Sequence, residues 1–230
     1  MLHVAYERNK LSRLPVIHKL ALHNIREGFF EHDMFIRARS FLQVDYQLAI
    51  TIDDVYGWRT QSEVLTREWR HVDLAVGTLR LDPGETKNGD GRVVYLTQEL
   101  KTMFAAQLGR VRALEQKLGK VIPYVFPHLA GHLQGRRIQD FKKAWKTACI
   151  NAGCPGMHRH DFRRTAVRNF ERAGVPRSIA MKNTGHRTES VYIRYDIVDD
   201  ADQRMARDML ETHSSLIVGS LPVSKEHVHG

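Results

Sequence analysis

The stretch HRHDFRR, residues 158–164, sets His160 three positions before Arg163 and four before Arg164. On a helix such residues share a face, so an imidazole and a guanidinium stand together, a pairing suited to gripping a phosphate. Alone, His-x-x-Arg is more often an ordinary charged helix surface. Upstream, YGWRTQSE places Arg59 and Glu63 four apart, where the carboxylate can orient the guanidinium. As an isolated pair this is usually a surface salt bridge, worth about 0–1 kcal/mol. Lys87, in GETKNGDGR, sits at the lip of a turn and can reach outward toward a ligand, although exposed turn lysines are commonplace. The stretch NTGHRTESVYIRY, residues 183–195, carries Gly185-His186 and two tyrosines, Tyr192 and Tyr195. Either hydroxyl can do chemistry, and the spacing alone does not choose between them.

These residues need a scaffold, and the periodicities describe one. HDMFIRARSFL and DYQLAITIDDVYGW have apolar residues at three-to-four spacing and read as two helices, the second interrupted by Gly57 near its end. TQSEVLTREW reads as a short helix. HVDLAV, TLRLD and RVVYLT read as strands, and the last two flank PGETKNGDG, whose Asn-Gly and Asp-Gly pairs are hairpin signals, giving a small three-stranded antiparallel sheet. Residues 98–118 form an amphipathic helix ending at Gly119, and VIPYVFPH is a loop or short extended segment. RRIQDFKKAWKTACINAG, HDFRRTAVRNFERAG and PRSIAMKNTG are helical and close at Gly153, Gly174 and Gly185. A short helix over 189–195 and another near 199–212 finish the pattern. The fold class is α+β, mainly helical, without internal repeats.

Composition narrows the partners. The chain has 230 residues and a formal net charge of +9, enough length for one sizeable domain with a proper core. Between Arg136 and Tyr195 there are 14 Lys and Arg against four Asp and Glu, so the rest of the chain is about neutral. Such a block is the electrostatic footprint of a polyanion, most often nucleic acid, with a solvated basic face as the bland alternative. Two cysteines, no apolar leader and no apolar run near 18 residues argue against secretion, a disulfide scaffold and a membrane span. A cytoplasmic protein fits best.

The motifs also occur in an order. Arg59 with Glu63, Lys87 after a strand, His160 with Arg163, Gly185-His186, and a tyrosine nine residues further on make the chain resemble the catalytic domain of tyrosine recombinases, the phage-integrase and Xer-type superfamily. The likeness runs from about Asn24 to Val198 and rests on GW-R, TKN-G-GR, HDFRRTAVRN and TGH-TESVY-RY. It implies the tyrosine recombinase catalytic fold and a site of Arg59, Lys87, His160, Arg163, His186 and Tyr195, with Glu63 supporting Arg59. Tyr195, nine after His186, is then the nucleophile and Tyr192 a neighbour. Arg59 and Arg163 would clamp the non-bridging phosphate oxygens where charge develops. A tyrosine hydroxyl of ordinary pKa near 10 is only about a thousandth ionised at pH 7, so His160 would accept its proton. Lys87 would protonate the leaving 5′-hydroxyl, and His186 would hydrogen-bond the phosphate. The implied product is a 3′-phosphotyrosine bond that conserves the energy of the cleaved linkage, so the chemistry needs no metal, ATP or other cofactor.

The implied partners are double-stranded DNA and, on it, three further copies of the chain in a homo-tetramer, with a monomer in free solution. Residues 1–27 read as a linker-like segment, 28–212 as the catalytic domain and 213–230 as an unstructured tail. Full-length relatives usually carry an N-terminal helical core-binding domain, so the chain reads as truncated or as a fragment. Tyr56 and Asn183 depart from the threonine and leucine common in relatives, and Asn183 is expected to loosen the seat of His186. Other chemistries fare worse. A metal-dependent nuclease needs convergent carboxylates, but Asp53 and Asp54 are adjacent and diverge by about 100° on a helix. Cys149, Cys154, His158 and His160 match no usual zinc spacing. The serious alternative is a non-catalytic DNA-binding protein, either helix-turn-helix-like, because residues 160–186 also look like helix, turn, helix, or a recombinase relative that has lost activity.

Overall fold

The computed structural model describes residues 2–13, 28–86, 89–196 and 200–219. Lys87 therefore lies outside the described residues. A short helix α1 (Leu2–Glu7) occupies part of the segment read as linker, consistent with a stretch that lacks glycine and proline. Helices α2 (His32–Ser40) and α3 (Val44–Tyr56) follow. A π turn (Thr60–Val64) and a 3-10 turn (Trp69–His71) lead into strands β1 (Val72–Asp73), β2 (Thr78–Leu81) and β3 (Arg92–Tyr95). Beyond the sheet come α4 (Gln98–Leu118), α5 (Lys142–Asn151), a 3-10 turn (Arg159–Asp161), α6 (Phe162–Arg172), α7 (Arg177–Thr184), α8 (Glu189–Tyr192), a 3-10 turn (Ile193–Tyr195) and α9 (Asp200–Gly219).

Helix α3 is the central element. Leu48, Ala49, Ile50 and Ile52 are fully buried, because the helix packs against both α4 and α6. It ends at Gly57, whose φ of 64° is left-handed, a conformation glycine adopts without strain. A β-carbon there would also come within 3.1 Å of Ala166 and 3.3 Å of the Arg163 backbone. This close approach brings the Arg59 segment onto α6. On the other side of α6, Phe30 stacks on Phe162 with ring centroids 4.5 Å apart and meets Trp145 edge-on at 5.6 Å. The Phe30 amide donates to Thr165 Oγ1 at 2.8 Å.

The sheet has order β1-β2-β3 and is antiparallel throughout. Leu79 faces Val94 and Leu81 faces Arg92 on the inward side, while Val93 and Tyr95 are exposed. Only Val72–Asp73 of the first expected strand is paired, because Asp73 Oδ1 accepts from the Val76 amide at 2.9 Å and turns the chain toward Gly77. The helix expected over TQSEVLTREW is reduced to two short turns, since the Glu63 carboxylate folds back onto the Arg59 amide. Helix α5 starts only at Lys142, where Asp140 Oδ1 accepts from the amides of Phe141 and Lys142. Helix α9 runs to Gly219, past His213 where an unstructured tail was expected; no glycine or proline interrupts residues 200–218. Among the described residues no helix is long and apolar enough to cross a membrane.

Asp54, nearly buried on α3, titrates abnormally. Burial, opposed by Arg39 and aided by Glu99, pushes its carboxyl up to about 7. A folded-state pKa above the unfolded one favours folding at low pH, an advantage lost as pH rises from about 4 to about 7. Asp54→Asn is therefore expected to gain stability over the parent across that window and to level off above it. Urea midpoints at pH 5 and pH 8 check this, with a gain on the order of a few kcal/mol at pH 8.

Candidate active site

The site is built where the chain after α3, the start of β3, the start of α6 and the turn after α7 meet. Arg59 leaves the end of α3 and is held by Glu63, whose Oε1 accepts from Arg59 Nη1 at 2.6 Å and whose Oε2 accepts from the Arg59 amide at 3.0 Å. The Glu63 side chain is 1% exposed while that of Arg59 is 33% exposed, so a buried carboxylate presents a reachable guanidinium. Burial alone would raise the Glu63 pKa, but Arg92, the Arg59 amide and the Arg59 guanidinium together hold it below the ordinary value.

Arg163, in the first turn of α6, is buried. Its Nη1 donates to the Gly57 carbonyl at 2.9 Å and its Nε to His186 Nε2 at 3.1 Å. Burial, then the Arg59 charge, lowers its pKa to about 10, so it remains a cation at neutral pH. His160 stands on the 3-10 turn before α6 rather than in the same helix, and is exposed. Partial desolvation, with Arg163 and Arg164, still holds its pKa below the ordinary value, leaving a neutral imidazole with a lone pair to offer.

His186 follows the left-handed Gly185 that ends α7. The Thr184 hydroxyl donates to the Ala180 carbonyl at 2.9 Å, so its oxygen accepts from His186 Nδ1 at 2.7 Å. The ring proton is thereby assigned to Nδ1, and Nε2 is the acceptor facing Arg163. Burial, then Arg163, Arg59 and Arg92, depresses its pKa to about 3, so the ring is neutral. The expected role as a phosphate donor thus requires this ring to gain a proton when an anion arrives. Asn183 does not disturb the seat: its side chain donates to the Ile179 carbonyl at 2.9 Å, and its own carbonyl accepts from Trp58 Nε1 at 2.9 Å.

The two tyrosines separate cleanly. Tyr192 is fully buried with Val167 and Ala180, and burial, then Glu171, drives its pKa up. Tyr195 is half-buried, with its ring 5.0 Å from that of His186 and 6.3 Å from that of His160. The guanidinium carbons of Arg163 and Arg164 lie 5.7 and 5.8 Å from the same ring. A cleft of about 530 Å3 runs beside Arg59, His160 and Arg163, and another of about 440 Å3 joins Arg59 to His186. The structure thus gathers Arg59, His160, Arg163, His186 and Tyr195 around one basic surface.

Sequence reasoning missed Arg92, which donates to Glu63 Oε1 at 2.9 Å and to the Thr184 carbonyl at 3.1 Å. Its signal was available: two-residue alternation in RVVY puts Arg92 on the same face as buried Val94. The basic block is also partly neutralised, from within by Arg159–Asp140 and Arg177–Glu171 and from outside by Arg187–Asp90. Lys142, Lys143, Lys146 and Lys182 are exposed.

Among the described residues, His71, Asp82 and Glu85 place ligand atoms close enough for a metal ion. They do not suit one. His71 Nδ1 accepts from the Glu68 amide at 3.0 Å, so Nε2 carries the proton and points between the carboxylates, which Arg67 and Arg70 already engage. The Cys149, Cys154, His158 and His160 combination forms no such group among the described residues; Cys149 is buried in α5, where burial and Cys154 push its thiol up to about 12.

The sequence model of the phage integrase family matches residues 38–202. The virulence plasmid integrase pGP8-D of Chlamydia trachomatis serovar L2 is 26% identical over 166 residues, covering 70% of this chain and 46% of that integrase. Its counterpart in Chlamydia muridarum is 27% identical with the same coverage. The chain therefore spans about half the length of the curated relatives it matches. Among solved structures, the Tn1549 transposon integrase in complex with a circular intermediate DNA superposes with a TM-score of 0.68 at 13% identity, covering 90% of this chain and 74% of that one. XerA recombinase gives 0.61 at 18% identity, with 81% and 65% covered, and the catalytic domain of bacteriophage HP1 integrase gives 0.51 at 19%, with 73% and 86% covered. At these identities the likeness is one of fold, and the fold is that of tyrosine recombinase catalytic domains. Helices, small sheet and matched sequence pattern agree, and the chain belongs to the phage integrase family.

Proposed function

We propose that the chain is the catalytic part of a site-specific DNA recombinase, which cuts and rejoins strands of double-stranded DNA through a 3′-phosphotyrosine. The observation that carries this reading is Tyr195, set against His160, Arg163 and His186 while Tyr192 is buried away from solvent. In the cleavage step the Tyr195 oxygen bonds to phosphorus, the bond from phosphorus to the 5′ oxygen breaks, and the phenolic proton passes to His160. Lys87 supplies a proton to the departing 5′ oxygen. Arg59 and Arg163 take the charge that builds on the non-bridging oxygens, where each aligned donor is worth on the order of 10²–10³ in rate. A phosphodiester beside His186 offsets the cations that hold it neutral, so the ring takes up a proton and donates through Nε2. Religation reverses the steps with a different 5′-hydroxyl.

Trapping tests the reading. Duplexes with a randomised core and a nick close to the scissile phosphate are incubated with the protein in chelator; cleavage frees a short fragment carrying the 5′-hydroxyl that religation needs, the fragment diffuses away and any covalent product accumulates. An adduct that survives denaturation is the expected result. DNA that is bound but never captured would favour the binding-only alternative.

Binding itself is expected to be strongly salt-dependent. Lys142, Lys143, Lys146, Lys182 and Arg194 are exposed, and Arg59 is reachable. About six phosphate contacts predict a loss of roughly 10³-fold in affinity between 50 and 200 mM salt. Fluorescence anisotropy across that range measures the slope, and a nearly flat response would contradict a phosphate-dominated interface.

A further inference from the structure

We infer that Arg92 is a positioning residue of this site, one guanidinium that fixes the distance between the Arg59–Glu63 pair and the turn carrying His186. The inference rests on the phosphodiester reading above and adds a residue to it. Its side chain is 7% exposed, an unusual place for arginine, and each arm has a separate task. Nη2 donates to Glu63 Oε1 at 2.9 Å, and Nη1 donates to the Thr184 carbonyl at 3.1 Å. The guanidinium carbon lies 5.4 Å from the Trp58 ring, and Trp58 in turn holds the Asn183 carbonyl. Two neighbours in the α7 turn are thus tied to the Arg59 side of the site, Thr184 directly through Arg92 and Asn183 through the Trp58 ring that Arg92 packs against.

Gly185 supports this independently. A β-carbon there would fall 2.5 Å from Arg92 Cζ and Nη1, so the turn and the guanidinium are fitted to each other. The two halves of the site come from segments more than 120 residues apart in sequence, and displacements near 1 Å at a reacting centre can cost about 10²-fold in rate. Lysine keeps the charge at this position but has a single nitrogen, which cannot reproduce a two-armed planar fork. Arg92 also adds to the field that, after burial and with Arg163 and Arg59, holds His186 neutral.

The test uses the full chain and two variants, Arg92→Gln and Arg92→Lys. Three quantities are measured: the single-turnover rate of adduct formation, the DNA affinity, and the His186 ring signals by NMR between pH 5 and 8. Arg92→Gln is expected to lose about 10- to 100-fold in rate with affinity within about twofold, and to shift and broaden the His186 ring signals as the turn loses its tie to the strand. Arg92→Lys should recover only part of the rate and only part of the parental ring signals.

A rate within twofold of the parent in Arg92→Gln would overturn the inference. So would a slowed variant whose His186 signals and titration match the parent, which is the behaviour of a mere space-filler. If Arg92→Gln does not fold, Arg92→Lys decides: full parental rate overturns the two-armed geometry, and a loss of about three- to tenfold at unchanged affinity supports it. If the parent itself forms no adduct, the phosphodiester reading fails, while the His186 signals of the variants still decide whether Arg92 governs that turn.

Discussion

Tyr195→Phe is expected to leave no denaturation-resistant adduct with nicked DNA, while Tyr192→Phe is expected to capture DNA at close to the parental rate. The expectation follows from where the two hydroxyls stand. Tyr192 belongs to a small core cluster with Val167 and Ala180, and its pKa is driven up by burial and by Glu171. An oxygen in that setting neither meets a DNA strand nor ionises readily. Tyr195 stands at the end of the last 3-10 turn, half-buried, with two imidazoles and two guanidinium groups around its ring. Replacing it by phenylalanine keeps the ring and its packing but removes the hydroxyl oxygen proposed to bond to phosphorus. DNA affinity is therefore expected to stay within a few-fold of the parent. An adduct persisting in Tyr195→Phe, or one lost in a folded Tyr192→Phe, would move the chemistry elsewhere.

The tyrosine question also shows what the sequence could and could not say. Spacing alone left two candidates; the resemblance favours one through a nine-residue count, and packing leaves that one half-buried with the other in the core. Tyr192 falls on the apolar side of α8 and Tyr195 a turn beyond it, where the helix has tightened and the chain re-enters the site. The helices around α3 and α6 were legible because both are bounded by glycines and patterned by buried residues. The three strands were legible from their turns, although β1 shrank where an Asp73 side chain closed the chain early.

What stayed hidden depends on contacts distant in sequence. The Arg59 segment looked helical by pattern, but its local structure is decided by a carboxylate that bonds backward to an amide. His160 and Arg163 share a face as expected, yet from a 3-10 turn and a helix, because the Asp161 carboxylate accepts from the His158 amide at 2.8 Å and restarts the chain there. The neutral state of His186 rests first on burial and then on three arginines brought together from separate segments. The local excess of Lys and Arg read as the footprint of a polyanion, whereas acids from outside the block, such as Asp90 and Asp202, engage several of its arginines.

Glu63→Ala is expected to cost more than any other single change away from the reacting atoms. The side chain is buried and takes three donors: Arg59 Nη1, Arg92 Nη2 and the Arg59 amide. Removing it strands Arg92 in a site where little water reaches, and breaking a buried ion pair from one side typically costs about 3–5 kcal/mol. Arg59 loses the carboxylate that aims it, so the capture rate should fall by about 10²-fold or more even where the variant is held folded. Glu63→Gln separates the two effects. It preserves shape and one acceptor oxygen, but places an amide NH2 against a group that also donates, so it should be more stable than Glu63→Ala and nearly as slow. The pH dependence has a definite sign. A carboxylate held below its ordinary value of 4.5 contributes stability above that pH and loses it as pH falls through the folded-state value. The gap between parent and Glu63→Gln should therefore be full at pH 7 and narrow below about pH 4.5. Urea titrations at pH 7 and pH 4, paired with capture rates, measure both effects. A gap that widens in acid would mean that Glu63 is not the charged centre of this network, and Arg59 would then need another anchor.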